Sequence, residues 1–177
     1  SLGGIGSFDG GAGMLQALGA KFYDDEANLV DVTKGAHVIK YIRRLDFSGI
    51  HPKLAEANIQ VMSDFSSRLY GKQSEIMQMY PMLGMTQNEA AEIDNLVWYF
   101  SELFKSELRV TIGPIERGGA GGGIAAVLKG LYQAEILTSH ELVDQITHLE
   151  DLVQQADLII FGEGLNERDQ LLETTYF

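Results

Sequence analysis

The chain has 177 residues, with 13 Lys+Arg against 25 Asp+Glu, 20 glycines, 3 prolines and no cysteine. A hydrophobic share of 45% and a charged share of 21% describe one globular domain with enough chain for a core. The absence of cysteine excludes disulfides, thiolate zinc sites, iron–sulfur clusters and cysteine nucleophiles. The net charge of −12 argues against nonspecific binding to nucleic acid or anionic membrane, because both need a basic face. No apolar stretch approaches a bilayer span and no signal-peptide pattern opens the chain.

Both charge and glycine are unevenly placed. Residues 131–177 hold ten acids and one base, Arg168. Eleven of the 20 glycines fall in two clusters: Gly3, Gly4, Gly6, Gly10, Gly11 and Gly13, then Gly118, Gly119, Gly121, Gly122 and Gly123. Such clustering marks two special backbone sites rather than general flexibility.

In chain order, the first glycine cluster opens onto a short helix carrying Met14, Leu15 and Leu18, with Gly19 as its stop. KFYDDEANLVDV reads as a small hairpin whose turn holds Asp24, Asp25 and Glu26. Ala36, Ile39, Ile42 and Arg43 predict a helix, ahead of a turn punctuated by Gly49 and Pro52. NIQVM is a predicted buried strand. Ile76, Met77 and Tyr80 share a helical face that Pro81 ends.

Thr86 and Glu89 make a capping box before the clearest helix, on which Ala90, Ile93, Val97, Phe100 and Phe104 recur at helical spacing. That stripe, with Trp98 beside it, reads as core rather than as a base-stacking surface. ELRVTI is a predicted strand. RGGAGGGIAAVLKGLYQAEI is the second glycine loop opening onto a helix. Thr138 with Glu141, and Thr147 with Glu150, predict two more capped helices, and ADLIIFGEG a strand running into glycine. Helices thus alternate with short strands, which predicts an α/β class around a mixed or parallel sheet, with a small hairpin appended.

Glycine loops that open helices suit anions, because exposed N–H groups and the helix dipole both favour negative charge. The same glycines also permit close backbone packing, so the two readings stand side by side. Neither G-x-x-x-x-G-K-[ST] nor G-x-G-x-x-G occurs, which disfavours a P-loop NTPase and an ordinary dinucleotide-binding module. His140, Asp144 and His148 stand four residues apart, but a helix start at Thr147 breaks their common face, so a solvated surface is expected. Asp9, Asp64 and Glu163 each adjoin glycine or a strand end. They suit either magnesium binding and proton transfer or simple capping of loop N–H groups.

At these residues the sequence resembles the type I glycerate kinase family. Asp9-Gly10-Gly11-Ala12-Gly13-Met14 is similar to the family's N-D-G-G-A-G-M segment, and Asp46-Phe47-Ser48-Gly49-Ile50-His51-Pro52 to its D-x-S-G-L-D-P turn. Val61-Met62-Ser63-Asp64 resembles V-A-C-D, Gly119-Ala120-Gly121-Gly122 resembles A-A-G-G, and Ala156–Gly164 resembles A-D-L-V-I-T-G-E-G. The resemblance implies part of a two-domain kinase, spanning residues 1–177 without the family's first and last segments. It also implies ATP- and Mg²⁺-dependent phosphorylation of glycerate to phosphoglycerate in the cytoplasm. On that reading Asp64, Asp9 and Glu163 are catalytic, with Asp64 also the metal ligand. Gly10, Gly11, Gly119, Gly121, Gly122, Gly162, Gly164 and Arg68 would bind substrate or phosphate.

The pattern departs from the family where bases are expected: Leu83 replaces Lys, and Leu165 stands where Arg follows GEG. Arg68 and Lys72 are additional. Two rivals therefore accompany the kinase reading. One is a noncatalytic relative that senses a small organic acid or its phosphate. The other is a scaffold domain that packs on further segments of the same protein or on a second copy.

Overall fold

The longest helix follows directly from its cap. In the computed structural model, which describes residues 1–2 and 7–160, Thr86 N–H donates to Glu89 Oε2 at 2.7 Å, and Glu89 N–H returns to Thr86 Oγ1 at 3.3 Å. Two otherwise orphaned donors are satisfied at once, and α3 (Gln87–Leu103) starts there. Its inner stripe is Ala90, Val97, Phe100 and Ser101, continued by Phe104. Trp98 does not belong to that stripe; it is 48% exposed.

Phe100 packs edge-on against Phe22 and Phe104, with centroids 5.7 and 5.1 Å apart, and Phe47 reaches Phe104 at 6.0 Å. Such edge-to-face contacts suit the ring quadrupoles. Phe22, Phe100 and Phe104 are fully buried, and each contributes about 1.5–3 kcal/mol by leaving water. Around them sit Leu15 of α1 (Ala12–Ala17), Ile39 from a 3₁₀ turn at Ala36–Tyr41 where a longer helix was predicted, and Ile42 just after that turn.

The predicted hairpin is only partly formed. β1 (Lys21–Tyr23) turns at Asp24, whose Oδ1 accepts from Glu26 N–H at 3.0 Å and Asn28 N–H at 2.8 Å. The return meets β1 in a single bridge, Tyr23–Leu29, because Asp31 caps a 3₁₀ turn at Val32–Lys34 that ends it. β1 instead forms its ladder with β2 (Arg44–Asp46), antiparallel, with Phe22 opposite Leu45.

NIQVM yields β3 (Gln60–Met62), which pairs in parallel with β4 (Glu135–Leu137), Val61 opposite Ile136. β4 has no sequence signal of its own, being three residues between a helix end and a cap. Between these strands in the chain come α2 (Glu75–Met79) and α4 (Ile124–Tyr132), the helix opened by the second glycine loop. Parallel pairing with an intervening helix is the α/β arrangement expected, and the described residues form two small sheets rather than one.

Three predicted elements are corrected. ELRVTI is not a strand: Phe104–Leu108 continue α3 as a π-helical turn, and Arg109 adopts φ 60°. Val110 N–H then closes back on Phe104 O at 3.3 Å, and Ile112 buries itself beside Gly130 without a partner strand. Thr147 does not cap a helix. It ends α5 (Ser139–Thr147) with its hydroxyl on Val143 O, and α6 (Leu149–Gln155) follows left-handed His148 without a side-chain cap. The described part of ADLIIFGEG, residues 156–160, forms no ladder, and Leu158 and Ile160 are 76% and 86% exposed. No described helix is long and apolar enough to cross a membrane.

Candidate functional site

The two glycine clusters, more than a hundred residues apart in sequence, meet face to face. Gly10 N–H donates to Gly122 O at 2.9 Å. A Cβ added at Gly123 would lie 2.6 Å from Gly10 Cα, and one at Gly122 would collide with Ser7 O. Gly121, Gly122 and Gly123 have φ of 65°, 62° and 108°, and Gly10 and Gly11 have 65° and 82°. Only glycine meets both demands at Gly122, a left-handed backbone and contact with another main chain. Gly119 is likewise pressed against the Arg68 carbonyl and Ser67 Oγ.

Most donors at this junction have internal acceptors. Asp9 Oδ1 takes Gly11 N–H at 2.9 Å and Oδ2 takes Gly13 N–H at 2.8 Å, so both oxygens cap the start of α1. In the second loop, Gly118 N–H goes to Ile115 O, Gly119 to Ser67 O and Gly123 to Gly119 O. Gly122 N–H donates at 2.8 Å to Glu75 Oε2. The whole 118–123 loop is buried. Its glycines serve close packing in this arrangement, the alternative the sequence left open.

Glu75 is the functional group that sequence reasoning missed. It occupies the first turn of α2, after the Ser74 cap, where an acid looks like an ordinary dipole partner. Here it is 3% exposed, and among the described residues its Oε1 has no hydrogen-bond partner; nor has buried Ser67 Oγ. Burial pushes the Glu75 carboxyl above the usual carboxylate range, against a smaller opposite effect of the Gly122 N–H. Asp94 was also missed. Both its oxygens take Gly71 N–H, at 2.8 and 3.0 Å, anchoring the 66–74 segment to α3. Its place between Ala90 and Val97 on the buried stripe was the signal.

Asp64 lies just past the carboxyl end of β3. It is exposed, and Oδ1 accepts from Ser139 N–H, the first residue of α5, at 2.7 Å. It therefore lies where parallel strands end and a helix begins, a frequent position for a site in α/β folds. Glu141 caps the same helix, its carboxyl held below the usual range chiefly by the Thr138 N–H, and pairs with Arg117 at 3.4 Å. Arg68 contacts Pro114 O at 3.3 Å and Glu116 at 3.9 Å, on a partly exposed surface. Glu163, Gly162 and Gly164 lie outside the described residues. Among the described residues no three His, Asp or Glu side chains gather as a metal site. His140 and Asp144 ride on α5, while left-handed His148 ends it, so the three share no continuous face.

The sequence profile of the glycerate kinase family matches residues 1–171. The chain belongs to that family. A glycerate kinase of Halalkalibacterium halodurans is 32% identical over 163 residues, covering 92% of this chain and 42% of that protein. A glycerate 2-kinase of Escherichia coli K12 is equally similar, at 32% over the same length and coverage. A crystal structure of a glycerate kinase 2 from Salmonella typhimurium LT2 superposes with a TM-score of 0.80 at 32% identity, over 93% of this chain and 43% of that one. The chain therefore spans about two-fifths of the length of these relatives. The glycine junction and the Asp64 strand end both fall inside the matched region.

Proposed function

We propose that this chain forms part of a glycerate kinase, transferring a phosphoryl group from ATP to a glycerate hydroxyl with Mg²⁺. The observation that carries the reading is the family match over residues 1–171. In such a reaction the protein chiefly positions the reactants and offsets charge on the transferring group. In the proposed site Asp64, exposed at the carboxyl end of β3, receives the proton of the attacking hydroxyl. Arg68, two-fifths of whose side chain is exposed, draws in the glycerate carboxylate or a phosphate. The glycine junction fixes the Asp9 loop against the 118–123 loop and so sets the distance between the segments around them.

ATP and Mg²⁺ would supply the phosphoryl group and neutralise its charge. The described residues do not make a full site for either: most loop N–H groups are internally bonded and no three-ligand set is present among them. Those same bonds, and Leu83 in place of a lysine, favour a second reading, a noncatalytic relative that binds a small organic acid or its phosphate.

The deciding experiment compares the chain with a version extended to the length of its relatives, both assayed for ATP turnover with glycerate and Mg²⁺. Turnover in the extended form, lost on Asp64→Asn, supports the kinase reading. No turnover, together with calorimetric binding of glycerate or phosphoglycerate, supports the sensor. Absence of both turnover and binding leaves the scaffold domain.

A further inference from the structure

Glu75 is the most deeply buried ionisable side chain described, at 3% exposure. It joins α2 to the glycine junction through one bond, Oε2 to Gly122 N–H at 2.8 Å. Gly122 in turn accepts Gly10 N–H, so a chain of two hydrogen bonds runs from the Glu75 carboxyl to the start of the α1 loop. Among the described residues Oε1 has no hydrogen-bond partner, and neither has Ser67 Oγ, which lies against Gly119 of the same loop. A buried carboxylate with one bare oxygen is costly when charged and tolerable when neutral.

The charged groups on the surrounding segments do not relieve this. Asp9 on the first loop is engaged with Gly11 and Gly13, and Asp94 on α3 with Gly71. Arg68 on the adjoining segment contacts Glu116, and Arg117 below the second loop pairs with Glu141. Lys72, just before α2, is exposed. Only burial and the Gly122 N–H act appreciably on the carboxyl.

We propose that Glu75 is a positioning residue that couples proton binding to the closure of the glycine junction. Neutral, it holds Gly122 and the two loops stay locked; ionised, its bare oxygen draws water in and the Gly10–Gly122 contact loosens. The inference concerns the junction itself and goes beyond the kinase reading, since its test needs no turnover.

The test is amide NMR of the intact chain between pH 4 and 8. The expected result is that the Gly122 and Gly10 amide signals titrate with one midpoint above the ordinary glutamate range, shared by the Glu75 side-chain carboxyl carbon. Exchange protection of Gly10, taken relative to Phe100 in α3, falls at least tenfold between pH 5 and 8. In Glu75→Gln, which keeps an oxygen acceptor but cannot ionise, both effects vanish. Flat Gly122 and Gly10 signals, or a Glu75 midpoint in the ordinary range, would overturn the proposal. So would the same titration in Glu75→Gln. Should that variant not fold, the three signals of the unaltered chain decide alone.

Discussion

Asp64 shows how one side chain can serve structure and chemistry through different properties. Its bond to Ser139 N–H needs only an acceptor oxygen, whereas accepting a substrate proton needs a charge. Asp64→Asn keeps the first and removes the second. In the extended protein it is expected to abolish turnover while leaving the melting temperature within a degree or two. Asp64→Ala should also cost about 0.5–2 kcal/mol, the usual loss for a helix-start acceptor, as measured by denaturant unfolding. Gly122 makes a sharper contrast. Gly122→Ala drives a methyl into Ser7 O and is expected to cost more than about 4 kcal/mol or prevent folding. Gly84→Ala, with φ of 70° but open space around it, should cost only about 1 kcal/mol of backbone strain. At this scale the sequence revealed which glycines matter but not their task, because anion binding and close packing both ask for a residue without a side chain. The burial of Glu75 was illegible for a related reason: its partner in space, Gly122, is set by tertiary contacts.

Elements with complete local signals were legible, and those dependent on a distant partner were not. The capping boxes at Thr86 and Thr138 form as spaced, since all their atoms lie within four residues. Thr147 and Glu150 have the same spacing, yet Thr147 is already committed to closing α5. β4 exists only because β3 lies beside it, and residues 156–160 lack such a neighbour among the described residues. Two outcomes follow from these differences. Thr86→Ala should lower stability by about 1 kcal/mol in denaturant unfolding, since α3 carries the aromatic core. Residues 140–160 contain no buried side chain, so amides of α5 and α6 should exchange faster than those of α3 by two or more orders of magnitude.

For the whole molecule, stability against pH reflects two opposed sets of carboxyls. Glu89 and Glu141 are held low by their cap N–H groups, so their contribution is present above the unfolded value of about 4.3 and disappears as pH falls through their folded values. Glu75 is raised by burial, so its contribution is complete below that unfolded value and is lost as pH rises through the folded one. The melting temperature should therefore decline as pH rises from about 5 towards neutrality, and Glu75→Gln should flatten that limb while leaving the acid limb in place. The family and the α/β class were legible because they rest on ordered motifs. The junction that brings two motifs together was not, because no local pattern states which distant loops touch. That junction also bears on how the chain is made. Gly10 cannot find its acceptor until Gly122 has left the ribosome, so this long-range closure waits while more than a hundred further residues are made. Until then the Gly10–Gly11 turn lacks its Gly122 acceptor, which makes this the stage at which chaperone engagement or misassembly would act.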